Sequence, residues 1–178
     1  CVYGAPWRVA WDRSATREIP YHVVLRGRAI IEDPESKTVS ELVDGDIVML
    51  PHGSPHVLHD GGGTAAVPTQ EHFTAGGWMV SENDSEAGQL DMLCGRFVIG
   101  PPHDRLIRNY LPMNLVVRAR DGDDSEGART ASAQLANLME LMRMEAAGDK
   151  AGGSAILNSL SSALFALVLR AASESNQA

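Results

Sequence analysis

Residues 45–60 alternate between turn and strand signals, and this pattern restricts the fold more than any other part of the chain. Gly45-Asp46 supplies a tight turn, and the apolar run 47–50 that follows is too short for a helix. Pro51 and Gly53 then break the strand, because proline removes a backbone donor and glycine permits positive φ. His56 begins the next strand. The simplest interpretation is that it is an ordinary polar residue at a strand end, with no functional role.

The residues before this stretch carry further strand signals. Residues 21–31 are rich in β-branched side chains around Gly27, which predicts either one strand with a bulge or two strands that meet there. Residues 39–43 and 47–50 are expected to pair as a hairpin about the turn at residues 44–46.

The rest of the first 120 residues continues this β-rich character. Residues 61–88 lack periodicity and are expected to form a long flexible loop. Further strands are predicted at residues 57–58, 90–99 and 115–118. Many short strands separated by turn residues predict a β-sandwich or a β-barrel.

A helical pattern begins after an acidic linker at residues 121–129. Thr130 or Ser132 is the predicted N-cap of the first helix, and Gly148 its stop. The apolar face of this helix recurs at helical spacing through Leu135, Leu138, Met139 and Met142.

The second predicted helix follows Gly152-Gly153, with Ser154 as its N-cap. Its apolar stripe is wide and contains Ile156, Leu157, Leu160, Leu164, Leu167 and Val168. A helix this apolar must be buried on more than one side. One side can cover a barrel, and we expect the other side to contact a second copy of the chain. The alternative is an ordinary buried helix within a monomer.

Composition excludes several classes of function. The chain of 178 residues has a formal net charge of −8, which argues against direct binding to DNA or to an anionic membrane. Its two cysteines form no disulfide framework, so we expect a reducing, cytoplasmic location. The start of the chain has no signal-peptide profile, and the apolar segment 163–172 is shorter than a membrane span.

The spacing Gly45-x5-Pro51-x-Gly53-x2-His56 resembles the second sequence motif of the cupin superfamily, and the whole chain resembles the N-terminal domain of AraC-type transcription regulators. That resemblance also rests on Pro6-Trp7, residues 21–27, Leu93-Cys94-Gly95-x-Phe97 and the two closing helices. It implies a mainly β fold with C-terminal α structure: a cupin-type small β-barrel (double-stranded β-helix) at residues 1–120, followed by an antiparallel helix pair at 130–178.

The resemblance also implies a function. The barrel would bind a small-molecule effector, and the C-terminal helices would form a homodimer. DNA would be contacted only by a helix-turn-helix domain that the family carries after this region and that we expect beyond residue 178. No membrane partner is implied, and the domain is expected not to be an enzyme and to contain no catalytic residues.

Four residues are expected to contact the effector inside the barrel: His22, Val24, His56 and Arg96. His22, His56 and Cys94 would suit a zinc-like divalent metal, whose ligands are nitrogen and sulfur. Strand alternation leaves one point open, because Cys94 and Arg96 share one face while Leu93 and Phe97 share the other. The predicted metal site requires the strand face that carries Cys94 to point into the barrel.

Two alternatives remain. The chain could be a metal-dependent cupin enzyme of the dioxygenase or isomerase type, although the H-x-H pattern that such cupins carry is absent after His22. It could also be a pure dimerisation module whose barrel is packed solid by aromatic side chains, for which the candidates are Trp7, Trp11, Trp78 and Phe97.

Overall fold

The computed structural model describes residues 1–118 and 126–175. These residues form eleven strands and three helices. The strands are β1 (Val2–Tyr3), β2 (Arg8–Trp11), β3 (Glu18–Arg26), β4 (Arg28–Glu32), β5 (Val39–Val43), β6 (Ile47–Met49), β7 (His56–His59), β8 (Thr69–Phe73), β9 (Met79–Asn83), β10 (Leu90–Val98) and β11 (Leu115–Val117). The helices are α1 (His103–Tyr110), α2 (Glu126–Gly148) and α3 (Gly153–Ser175). The predicted architecture, mainly β with C-terminal α, is confirmed.

The strands form two sheets around one apolar core. One sheet has the order β11-β6-β3-β10-β1-β9-β8, and the other has the order β2-β7-β4-β5. A single buried cluster takes side chains from both sheets, and it contains Tyr3, Trp7, Val24, Ala29, Ile31, Leu42, Val48, Leu50, Leu58, Leu90 and Met92. Because both sheets contribute to this cluster, they face each other and enclose it.

Strand β3 is buried on both of its faces over residues 19–24. One face contributes Val24 to the core cluster, and the opposite face carries Tyr21. The Tyr21 ring stacks on Phe97 of β10 with 4.5 Å between centroids. It also covers Gly95, where a Cβ atom would lie 2.5–2.6 Å from the phenol. This close approach explains why the Cys94-Gly95-x-Phe97 segment needs a glycine.

The break predicted within residues 21–31 is a junction between two strands. β3 ends at Arg26 and β4 begins at Arg28, with Gly27 between them at φ 101°. The Gly27 amide donates to the Asp44 carboxylate at 2.6 Å, which holds the turn. A non-glycine residue rarely adopts this φ, so the glycine is required by the backbone.

The hairpin predicted for residues 39–50 is wrong. β5 pairs with β4 in the four-stranded sheet, whereas β6 pairs with β3 in the seven-stranded sheet. The turn at Gly45 (φ 86°) therefore carries the chain from one sheet to the other. The Asp46 carboxylate accepts from the Val43 amide at 2.9 Å and fixes this crossing.

The flexible loop predicted for residues 61–88 is also wrong in part, because it contains β8 and β9. All residues of β8 are exposed, so the strand has no apolar alternation that sequence patterning could detect. The helix α1 was likewise not predicted. It has eight residues and none of them is buried.

The two C-terminal helices run antiparallel, as predicted. The residues between them, 149–152, form a short turn, and Arg170 near the end of α3 donates to the Gln134 side chain near the start of α2 at 3.4 Å. Among the side chains that the structure describes, α2 buries Leu135, Leu138 and Met142, and α3 buries Leu157, Leu164 and Val168.

The predicted helix starts are wrong by a few residues. α2 begins at Glu126, so Thr130 and Ser132 lie within the helix and the predicted linker at 121–129 ends earlier. Residues 121–125 of that linker lie outside the described residues. α3 begins at Gly153, which makes Ser154 a helical residue and not the N-cap.

By length and composition alone, residues 153–173 of α3 could cross a membrane. This range is longer than the apolar segment 163–172 that the sequence predicts to be too short for a span. One such helix is weak evidence for a membrane span, and α3 packs on α2.

The chain divides into two compact units. The first comprises residues 1–71 and 81–116 and contains the core cluster described above. The second comprises residues 72–80 and 117–178. Within the second unit, the turn between β8 and β9 contacts the start of α3, because the Ser154 amide donates to the Gly76 carbonyl at 2.9 Å.

Candidate functional site

Two buried histidines are in direct contact inside the barrel. His22 on β3 and His56 on β7 belong to opposite sheets, and each is about 1% exposed. Their Nε2 atoms lie 2.7 Å apart. The structure therefore brings together the two histidines that the sequence placed in the interior.

Hydrogen bonding fixes the proton positions of this pair. The Nδ1 atom of His56 lies 3.0 Å from the Ser54 carbonyl, which can only accept, so Nδ1 carries the proton. His56 Nε2 is then an acceptor, and His22 Nε2–H donates to it. His22 Nδ1 is left as a buried acceptor with no hydrogen-bond partner among the described residues. A buried acceptor without a partner is costly.

Trp11 of β2 covers the histidine pair. Its ring is parallel to that of His56, with 5.2 Å between centroids and 4° between planes. It also contacts His22 at 4.7 Å. The contact arises because Trp11 is directly opposite His56 in the antiparallel β2–β7 pair.

Both imidazoles are held in the neutral form. Burial lowers the pKa of His22 well below its ordinary value of 6.5, and the neighbouring His56 lowers it further. Burial also lowers the pKa of His56, although the hydrogen bond to the Ser54 carbonyl opposes this shift. With its protons placed in this way, the neutral pair can accept one hydrogen bond at His22 Nδ1 without introducing a charge into the core.

We expect the stability of the protein to fall as the pH drops below about 6.5. The folded state keeps both imidazoles neutral there, whereas the unfolded chain binds protons at the ordinary pKa, so protons favour unfolding. Each neutral imidazole contributes a slope of up to about 1.4 kcal/mol per pH unit until the folded pKa is reached. Urea denaturation of chelator-treated protein between pH 5 and 8, a window of about three units around the ordinary imidazole pKa of 6.5, measures this slope.

A variant with His22→Leu and His56→Leu serves as the control for this titration. It retains every carboxylate, so the difference in slope between the two proteins isolates the histidines. Equal slopes in both proteins below pH 6.5 would show that these imidazoles do not resist protonation.

Cys94 faces the interior, which settles the question left open by strand alternation. It packs against the core cluster together with Leu90 and Met92 of the same face, and it is directly opposite His22 in the β3–β10 pair. Burial raises the pKa of the Cys94 thiol to about 11. Its sulfur lies 3.5 Å from that of Cys1.

These residues do not complete the predicted metal site. A zinc site needs three or four protein ligands, and a cysteine ligand must be a thiolate. The described part of the chain contains no group of three or more His, Cys, Asp or Glu side chains placed to hold a metal ion. The two imidazole Nε2 atoms converge, but the Cys94 thiol contacts the Cys1 sulfur and not the histidines. The zinc-like ion therefore stays a prediction.

The other two predicted effector contacts lie in different surroundings. Val24 belongs to the apolar core cluster and is fully buried. Arg96 is the next residue after Cys94 on the same face of β10, closer to the end of the strand. Its side chain is 66% exposed and pairs with Glu18 at 3.2 Å. The structure thus places Arg96 at the rim and not with the buried histidines.

A small cleft adjoins His56. Its volume is about 20 Å³, enough for roughly one water molecule. Polar groups line much of it: besides His56 these are Asp33, Thr38, Ser40 and Asn114, and the apolar part is formed by Ile31, Val48 and Val116.

Sequence reasoning missed the residues that surround the histidines. Trp11 had been named only as a possible core-filling aromatic, and the cleft residues carried no signal. Of the other three aromatics named with it, Trp7 is in the core cluster, Phe97 lies on the opposite face of β10, and Trp78 packs on Gly153 within the second unit.

Comparison with known proteins identifies the fold family. A family model described as cupin matches residues 1–174, which is nearly the whole chain. The chain belongs to the cupin family. The predicted cupin barrel is thereby confirmed.

This cupin is also similar to a regulatory protein. It is 23% identical over 177 residues to an uncharacterized HTH-type transcriptional regulator of Haemophilus influenzae. The match covers 99% of this chain and 54% of that protein, so the chain spans about half the length of its curated relative. Among solved structures, the protein YhaK of Escherichia coli matches with a TM-score of 0.39 and 14% identity, over 66% of this chain and 39% of that one. This structural likeness is too weak to support an argument.

Proposed function

We propose that this cupin is the effector-sensing and dimerisation domain of an AraC-type transcription regulator. The observation that carries the proposal is the buried His22–His56 pair, in which His22 Nδ1 lacks a hydrogen-bond partner in the described chain. A core that serves only for packing gains nothing from such a group, whereas a small molecule with a hydroxyl or an amide donor would satisfy it. The similarity to a transcriptional regulator supports a regulatory role for the domain.

The cleft beside His56 is the route by which we expect the effector to enter. At about 20 Å³ it is too small for a metabolite, so binding requires side chains around it to move. A ligand that binds the rearranged barrel more tightly shifts the population towards that state. Through this shift the effector would change the arrangement of the dimer and of a DNA-binding domain that follows the chain.

The helix pair offers an apolar surface for a second copy. Leu141 and Met144 of α2 are 54% and 59% exposed, and they lie three residues apart, on one side of the helix. Ile156 of α3 is exposed as well. The adjacent exposed pair Leu141 and Met144 supports a homodimer contact.

We expect a variant with Leu141→Glu and Met144→Glu to be monomeric. Burying two carboxylates against their counterparts across a symmetric interface is unfavourable, because like charges repel and each loses its hydration. Analytical ultracentrifugation of the wild type and the variant measures the change.

The matched control is Ala136→Glu, which adds a carboxylate at an exposed position of the same helix. It should leave the dimer intact. A monomeric wild type, or a dimer that both glutamates leave unchanged, would show that this surface is not the interface.

A metal-dependent cupin enzyme remains the alternative function. A thermal-shift screen of water-soluble metabolites, followed by metal analysis and an oxygen-uptake or product assay on each compound, separates the two. A sensor binds a compound, shows a higher melting temperature and produces no product. Turnover of the compound with an added metal ion would establish the enzyme instead.

A second alternative is a dimerisation module whose barrel is filled by side chains and binds no ligand. The small volume of the cleft favours it. In that case no compound in the screen would raise the melting temperature. The cytoplasmic location and the DNA-binding partner domain are proposed from the regulatory role alone.

A further inference from the structure

The two cysteines of the chain are neighbours inside the first unit. The Cys1 and Cys94 sulfurs lie 3.5 Å apart, and both residues are partly exposed. The backbone explains this: Cys1 and Met92 exchange hydrogen bonds of 2.7 and 2.8 Å, so that Cys94 is the next residue on the same face of β10. Residues 93 positions apart in the sequence are thus held side by side by strand pairing.

We propose that Cys1 and Cys94 form a thiol-oxidation site that a peroxide converts into an intramolecular disulfide. A disulfide needs a sulfur–sulfur distance of about 2.05 Å, so the two sulfurs must approach by roughly 1.5 Å, which a small side-chain rotation can provide. The partial exposure of Cys1 gives a small oxidant access to its sulfur, whereas burial raises the pKa of the Cys94 thiol, so Cys1 meets the oxidant first.

The chemistry has two steps. One thiol attacks the peroxide, the O–O bond breaks, and the thiol becomes a sulfenic acid while the peroxide is reduced to water or an alcohol. The second thiol then attacks the sulfenic sulfur, forming the S–S bond and releasing water. Together the thiols lose two protons and two electrons, which the peroxide accepts.

The bond would link the chain segment before β1 to β10 on the barrel's interior face. Cys94 is directly opposite His22, so the bond would form beside the histidine pair. In a reducing compartment such a disulfide persists only while the oxidant is present. The barrel would then respond to peroxide as well as to an effector, and this site does not depend on effector binding.

The test treats the reduced, chelator-treated chain with a small excess of hydrogen peroxide. We expect both thiols to become unreactive in denaturant, and proteolysis to yield a peptide in which the segments holding Cys1 and Cys94 are linked. Because the chain contains two cysteines, an intramolecular bond can have no other partners. Dithiothreitol should restore both thiols. The melting temperature should rise by about 5 °C or more on oxidation, since the bond closes a long loop.

The variants Cys1→Ser and Cys94→Ser are the controls, with circular dichroism to check folding. Each should keep one thiol, form no linked peptide and show no rise in melting temperature. If Cys94→Ser fails to fold, the partly exposed Cys1→Ser still provides the comparison. The proposal is overturned if the wild type keeps both thiols, links two chains together, or gains oxygen atoms on sulfur without forming the linked peptide.

Discussion

Replacing Trp7 with alanine is expected to lower the free energy of unfolding by about 3–5 kcal/mol, the usual range for a large aromatic residue in a core. Trp7 is 1% exposed and stacks on Tyr3 with 5.3 Å between ring centroids. Both rings belong to the cluster that the two sheets share. Removing the indole leaves a cavity at that point, and the surrounding strands cannot close it because hydrogen-bonded partners hold them in place.

Urea denaturation at pH 7 measures this loss. Tyr110→Ala is the matched control, because it also removes an aromatic ring but at a position that is 80% exposed, and it should change the stability by about 0.5 kcal/mol or less. A Trp7 variant as stable as the Tyr110 variant would mean that the indole is not enclosed by the two sheets.

Strong coupling between His22 and His56 is the second large effect that we expect. His56→Leu leaves the His22 Nε2–H group without its acceptor, so that both nitrogens of His22 are buried and unpaired. His22→Leu leaves the Nε2 acceptor of His56 unpaired. A buried polar group without a partner costs about 1–3 kcal/mol, whereas removal of both partners can be almost neutral.

A double-mutant cycle tests this coupling. The doubly substituted protein should be more stable than the sum of the two single losses predicts, by about 1–3 kcal/mol. All four proteins are compared at pH 8, where the histidines are neutral in the unfolded chain as well. Additive losses would be inconsistent with the 2.7 Å contact between the imidazoles.

The features that sequence predicted correctly are those set by local signals. Gly27 separates β3 from β4 because its positive φ requires a glycine, and Gly53 precedes β7 for the same reason. Leu135, Leu138 and Met142 recur at the helical period, so the buried face of α2 was visible in the sequence. His22 and His56 were placed in the barrel through the family resemblance.

The features that sequence missed depend on contacts between distant parts of the chain. The turn at Gly45 joins two sheets instead of closing a hairpin, and a turn residue does not specify which strands will pair. Trp11 reaches His56 through the β2–β7 pair, across 45 residues, and Cys1 reaches Cys94 through β10. Nothing in the local pattern around these residues records their partners.

Exposure explains the remaining misses. β8 contains no buried residue and so lacks the apolar alternation on which a strand prediction depends, and α1 has only eight residues, none of them buried. Arg96 is exposed near the end of β10, where it pairs with Glu18 of β3, and this partner is 78 residues away in the sequence.

The emission of Trp11 tests the proposed effector site most directly. The chain has three tryptophans, so a Trp7→Phe, Trp78→Phe background leaves the indole that stacks on His56 as the sole reporter. Each compound that raises the melting temperature in the metabolite screen is titrated into this protein and into the same background carrying His22→Leu and His56→Leu. The account predicts a saturable change in emission that is at least about tenfold weaker, or absent, when the histidines are replaced. Equal affinity in the two proteins, or binding that leaves the emission of Trp11 unchanged, would contradict it.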